Sequence, residues 1–153
     1  MKQAQRGTSM VEFAIAVSAL LLVMFGIVEF GRVLYTYHTV SNAARIGSRW
    51  AIVRGAGCAT IGVLDHCNAT SADIQNYVQS VVSMVDSNTL AVNATWSTSM
   101  DPSVDCSATD PSGNDLKGHL VCVTVAYPFN FAIPFVSTTA LTLTSTSKMV
   151  IAN

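Results

Sequence analysis

Met10 to Val28 reads MVEFAIAVSALLLVMFGIV, nineteen residues that are apolar or small except for one charge, Glu12. As an α-helix such a run spans roughly 28 Å, close to the hydrocarbon thickness of a bilayer. A carboxylate inside it costs roughly 2.5–3.5 kcal/mol at the bilayer midplane and less near the interface. Glu12 is therefore a functional candidate, and a partner for it has to be named.

The chain has 153 residues, enough for one small domain beside the membrane segment. Half of it is apolar, 11% is charged, and the formal net charge is −1. No basic field points to nucleic acid. Past the apolar run, Ser and Thr carry most of the polarity, which suits an exported β-rich domain better than a cytosolic enzyme. Cys58, Cys67, Cys106 and Cys122 all lie beyond the run. An even cysteine count on the far side of a membrane reads as disulfides.

Lys2 and Arg6 precede the run with no acid among the first eleven residues, whereas Glu29 and Arg32 after it cancel. Positive charge stays inside, so the C-terminal part is exported. A cleaved secretory signal or a plain membrane anchor would share this pattern. Against the signal stand the length of the run, its carboxylate, and the bulky or charged GIVEFGR where a small-residue cleavage site would be.

The helix is expected to begin near Thr8 or Ser9, either hydroxyl serving as N-cap, with Glu12 in or near the first turn. It is expected to continue past the membrane to about residue 53, roughly 65–70 Å in all. Phe30, Val33, Leu34, Tyr37, Val40, Ser41, Ala44, Gly47, Ser48 and Ala51 recur at three- and four-residue spacings and make one apolar-to-small face. His38, Asn42, Arg45 and Arg49 fall together on another. Gly26 and Gly31 weaken the helix by roughly 1 kcal/mol each; they read as close-packing points for a neighbouring helix in preference to a site that melts or bends during assembly. Glu29 and Arg32 are spaced to pair at the membrane edge.

Gly55-Ala-Gly57 ends the helix, and residues 55–70 form a loop holding Cys58 and Cys67. Ser71 caps a second helix with Asp73 in its first turn; Ile74, Tyr77, Val78, Val81, Val82 and Val85 are its buried stripe, and it runs to about Asp86. Leu90, Val92, Ala94 and Trp96 alternate as a strand. Residues 99–118 form a long polar turn. Leu120 to Tyr127 is the next strand. Pro128 and Pro134 bracket an apolar loop with Phe129, Phe131 and Ile133. Leu141 to Ile151 is the last strand. The fold class is α+β: a long transmembrane helix extending into a small domain with a second helix and a roughly three-stranded antiparallel sheet laid on the long helix. Four cysteines allow three pairings; the local one, Cys58–Cys67 with Cys106–Cys122, is expected, each bridge stabilising by roughly 3 kcal/mol in the chain-entropy model.

Chemistry finds little purchase. His38, His66 and His119 are scattered, and no serine elbow, HExxH or Walker loop occurs. Cys58…Asp65-His66-Cys67 matches no common zinc spacing. Asp101, Asp105, Asp110 and Asp115 share a loop at spacings unlike an EF-hand. Asn68-Ala-Thr and Asn93-Ala-Thr match glycosylation sequons by chance composition. No enzyme activity, cofactor or metal is expected.

Arg6-Gly-Thr-Ser-Met-Val-Glu-Phe13 resembles the processing site of type IV pilin-like proteins, in which a membrane peptidase cuts after the glycine. With Gly26-Ile-Val-Glu-Phe-Gly-Arg32, Asn42-Ala-Ala-Arg45-Ile-Gly-Ser-Arg49 and the later Ala-Tyr-Pro128, the chain is similar to TadE-like proteins, pseudopilins of the tight-adherence (Tad/Flp) pilus system. The resemblance is strong over residues 6–50 and weaker over 55–118. It implies a leader 1–7, cleavage by a prepilin peptidase between Gly7 and Thr8, a pilin-like helix 8–54, and a periplasmic domain 55–153. Glu12 and Phe13 would meet other subunits, the carboxylate pairing with a neighbour's Thr8 ammonium; in low dielectric that pair is strongly favoured over an unpaired acid. The implied partners are the prepilin peptidase, other pilins and pseudopilins, the pilus assembly platform and membrane lipid. The implied location is the bacterial inner membrane, single-pass with the N-terminus cytoplasmic, or the extracellular pilus. The alternative is an unprocessed bitopic scaffold binding an envelope partner.

Overall fold

The computed structural model describes residues 4–60, 64–83, 85–99, 101, 103, 116–132 and 140–152. The dominant element is one helix, α1, Ala4–Ile52, of 49 residues. It starts earlier than the sequence suggests. Neither Thr8 nor Ser9 is an N-cap, because Ala4, Gln5 and Arg6, all good helix formers, carry the helix back through them. Glu12 therefore sits in the body of the helix, and no acid occupies its first turn.

After α1 come a 3-10 turn, Ala56–Thr60, and a second helix, α2, Ser71–Val81. Thr70, not Ser71, caps α2. Its hydroxyl accepts from the Asp73 N–H at 3.3 Å while its own N–H donates to Asp73 Oδ2 at 3.0 Å, a reciprocal capping box. Ser71 is engaged elsewhere: its Oγ accepts from the Ala94 N–H at 3.0 Å. α2 also ends at Val81 rather than near Asp86. Val82, the C-cap, is still buried in the core but with extended backbone, φ −87 and ψ 99, and Val85, in a bend beyond it, packs partly buried against the core.

Three strands follow: β1 Ala91–Ser97, β2 Leu120–Phe129 and β3 Leu141–Val150. They form one antiparallel sheet in the order β1-β2-β3. β2 runs two residues past its expected end and takes in Pro128. A proline is tolerated there because β1 begins opposite Ala126, so the end of β2 pairs with β3 alone.

α1 packs across β2 and β3, and α2 packs on β1. Alternation sets the core as expected: Leu90, Val92, Ala94 and Trp96 are buried, with Val121, Val123 and Val125 beside them. The helix offers small residues to this surface. Val40, Ala43, Ala44, Ser48 and Ala51 are buried. A Cβ built on Gly47 would lie 3.0 Å from methyls of both Val123 and Val78, so glycine lets α1 touch β2 and α2 at one point. Buried Ser48 shares a 2.8 Å hydrogen bond with Ser147 of β3 and donates to the Arg45 carbonyl at 3.1 Å. At the far end of α1, the Ala152 N–H donates to the Ile52 carbonyl.

The expected helix face is correct from Val40 outward and displaced below it. Glu29 and Thr36 are buried there, whereas Phe30, Leu34 and Tyr37 remain exposed. The buried stripe 29, 36, 40, 43, 47, 51 is the one that follows the helical repeat toward the sheet. The three large residues lie off that stripe and continue the exposed apolar surface of the N-terminal run.

Candidate functional site

The described N-terminal helix holds an 18-residue window of mean hydropathy 2.5, none of it buried against the rest of the protein. From Met10 to Phe30 nearly every apolar side chain stands free; Phe13 is 71% exposed and Leu22 73%. A surface this apolar on every side requires lipid or protein around it. Gly7, Thr8 and Glu12 are all exposed on this rod. A Cβ added at Gly7, Gly26 or Gly31 meets nothing within 4 Å. The two interior glycines therefore pack against nothing among the described residues. Glu12 makes no hydrogen bond or ion pair among the described residues, so its candidate partner must come from outside them.

Where the rod leaves its apolar stretch, the folded domain grips it. Glu29 is 6% exposed. Its Oε2 accepts from Arg32 Nη1 at 2.7 Å, the pair expected from their spacing. Its Oε1 accepts from the Ala132 N–H at 2.9 Å, which the sequence did not foreshadow. The Ala132 amide, then Arg32, holds the Glu29 carboxyl below its ordinary value of 4.5. The Arg32 guanidinium lies 5.4 Å from the Phe129 ring centre, and Phe129 meets Phe131 edge-on at 5.3 Å. The end of β2 is thus fastened to α1 directly above the apolar run. Ile133 and Pro134, grouped with these phenylalanines on sequence grounds, lie outside the described residues.

The loop after α1 is bridged as expected between Cys58 and Cys67, with Cα atoms 5.4 Å apart. Cys122 is also disulfide-bonded; its expected partner, Cys106, lies outside the described residues. So do Asp105, Asp110 and Asp115. Asp101 accepts from the Ser103 N–H at 2.8 Å. Among the described residues no group of three or more His, Cys, Asp or Glu side chains is placed to hold a metal ion.

An exposed apolar rod with a glycine before it, one carboxylate inside it and a small domain clasped to its far half invites comparison with known proteins. Residues 7–49 match the family model described as TadE-like protein. The match begins at Gly7, takes in Thr8, Glu12 and Phe13, and ends three residues before α1 does. The sheet and α2 lie outside the TadE-like segment. Comparison with curated proteins and with solved structures gives no significant match to the chain.

Proposed function

We propose that this chain is a TadE-like pseudopilin, a structural and non-enzymatic component of Tad/Flp pilus biogenesis in surface adhesion. A prepilin peptidase cuts after Gly7 on the cytoplasmic side, Thr8 becomes the mature N-terminus, and the helix stays in the inner membrane with the domain in the periplasm. The mature helix then associates with other pilin helices and with the assembly platform, either priming the fibre or entering it. Glu12 meets a neighbour's Thr8 ammonium, and Phe13 packs beside it. The supporting observation is the fully exposed apolar rod within a TadE-like match that starts at the proposed cleavage glycine. Burial of that rod against sister helices replaces lipid contact at little cost, while the acid–ammonium pair rewards only the correct axial register. Glycines with open space around them allow such helices to approach closely.

The experiment is a Glu12→Ala substitution. The protein should still insert and reach its normal membrane level but fail to support piliation, and Glu12→Asp should restore part of it. Normal piliation by Glu12→Ala would remove the role assigned to this residue. The unprocessed bitopic scaffold remains the competing reading, and it predicts no effect of blocking the peptidase.

A further inference from the structure

The apolar run from Met10 to Val28 is followed directly by Glu29, and Glu29 is where the folded domain is fastened. We propose that this end of the domain is seated in the headgroup layer of the bilayer, so that the sheet touches lipid as the helix does. The proposal rests on the membrane-spanning reading of Met10 to Val28 and gives the folded part a lipid contact of its own.

Ties at both ends of the domain set its height on the rod. At the far end, Ser48 shares its hydrogen bond with Ser147, and the Ala152 N–H donates to the Ile52 carbonyl at 3.0 Å. At the near end, the Ala132 N–H donates to Glu29 Oε1 at 2.9 Å, and the Arg32 guanidinium lies over the Phe129 ring. β3 therefore runs alongside α1 in the same direction. Its first residue, Leu141, pairs in register with Phe129, and Phe129 meets Phe131 edge-on. Phe131 and Leu141 thus stand near the level of Glu29 to Arg32, within about 6 Å of helix rise beyond Val28. A bilayer is roughly 30 Å thick in its hydrocarbon and 40–45 Å with its headgroups, which leaves a layer of about 5–8 Å on each side. The near end of the domain falls within that layer.

The chemistry of this end suits the headgroup layer. Phe30, Leu34 and Leu141 are exposed and Phe131 partly so. Tyr35 and Tyr37, also exposed, follow one to two turns further along α1. Side chains on a helix lean toward its N-terminus, here toward the lipid. Tyrosine favours this layer because its ring is apolar and its hydroxyl wet. Charge that would hold the domain clear of the membrane is missing. The sequence carries no Asp, Glu, Lys or Arg from Gly118 to Ser147, nor between Arg32 and Arg45. Lys148 belongs to the opposite end of β3. The acid at the boundary, Glu29, is buried with both carboxylate oxygens engaged, by Arg32 and by the Ala132 N–H. Glu29 and Arg32 together carry no net charge, which is how ionised residues are tolerated beside lipid. The contact that clasps the domain to the rod also removes the charge that would repel the domain from the bilayer.

The test uses the full chain in phosphatidylcholine vesicles, either plain or brominated near the headgroup end of the acyl chains, and reads quenching of an added tryptophan. Of the native tryptophans, Trp96 is 3% exposed in the core, and Trp50 stands about 33 Å of helix rise beyond Val28, so neither meets bromine. Leu141→Trp and Phe131→Trp probe the near end. Leu141 is 43% exposed and Phe131 keeps an aromatic ring, so each site accepts the change. Phe25→Trp probes the span. Asn93→Trp, on an exposed position of β1 paired with Thr124, lies about 17 Å along the sheet from Phe129 and is the control. Leu141→Trp and Phe131→Trp are expected to lose about half of their added emission, as Phe25→Trp does, and Asn93→Trp none. Quenching of Phe25→Trp without quenching at 131 and 141 would overturn the proposal and leave the membrane span standing. Absence of quenching at all four sites would overturn both. Unquenched emission at 141 that shifts to the blue as the protein-to-lipid ratio rises would assign this end to a second copy of the chain and overturn the lipid contact. Quenching of Asn93→Trp as strong as that of Leu141→Trp would overturn seating by this end.

Discussion

Two side chains carry the join between rod and domain. Glu29 is ionised in a buried setting because the Ala132 amide and Arg32 both favour the charge. A carboxyl whose folded pKa is lowered stabilises fully above its unfolded value and loses that contribution as pH falls through the folded value. The Ala132 amide resonance should therefore titrate with a midpoint below 4.5 and show no such step in Glu29→Gln. A midpoint at or above 4.5 would contradict the clasp. Ser48 is the second. Replacing it with alanine removes the partner of the half-buried Ser147 hydroxyl, and the expected loss is about 1 kcal/mol in chemical denaturation. Ser48→Ala with Ser147→Ala should recover part of it; if the single variant is neutral, the hydroxyl pair contributes nothing. The Glu29–Arg32 pair could be read from spacing, since both lie on one helix. The Ala132 contact could not, because an amide 103 residues away leaves no trace in local pattern.

At the scale of elements, periodicity explains what was legible. β1 alternates strictly, so its inward residues were evident, and the small residues of α1 marked where a sheet would lie. The end of α2 was misjudged because Val82 and Val85 keep apolar spacing after the helix has stopped. Two β-branched residues in a row, Val81 and Val82, hold a helix poorly, and Val82 with extended backbone and Val85 in a bend still pack on the same core. Ser71 and Thr70 are both competent caps; which one serves was decided by the Ala94 amide of β1, a tertiary partner. Thr70→Ala should cost about 1 kcal/mol of domain stability. The glycines of α1 separate into two kinds. Gly47→Ala gains about 1 kcal/mol of helix propensity but forces branched valine methyls apart, at roughly 1–3 kcal/mol, so the melting temperature should fall. Gly26→Leu meets nothing in the single chain, so the domain should melt as in the unsubstituted protein while lateral helix association, measured by cross-linking in membranes, weakens. Cross-linking at the unsubstituted level would remove Gly26 from the contact surface.

The whole molecule divides into a half that is satisfied and a half that is not. From Glu29 outward, α1, α2 and the sheet bury one another's apolar faces. Below Glu29 a rod of exposed apolar side chains carries one carboxylate without a described partner. Phe30, Leu34 and Tyr37 extend that exposed apolar surface beyond Val28. Of the candidate site, the apolar run suggested Glu12 alone; Gly7, Thr8 and Phe13 are named by the resemblance of residues 6–13 to a pilin processing site, and their roles are part of the proposal. What the sequence could not convey is that nothing among the described residues covers them. The account rests on trimming of this rod at its tip. Intact-mass and N-terminal mass spectrometry of the protein extracted from its native membranes measures it directly. A polypeptide beginning at Thr8 and still containing Met10 to Val28 is the predicted result. A chain beginning at Met1, or one that starts beyond Val28, would contradict it.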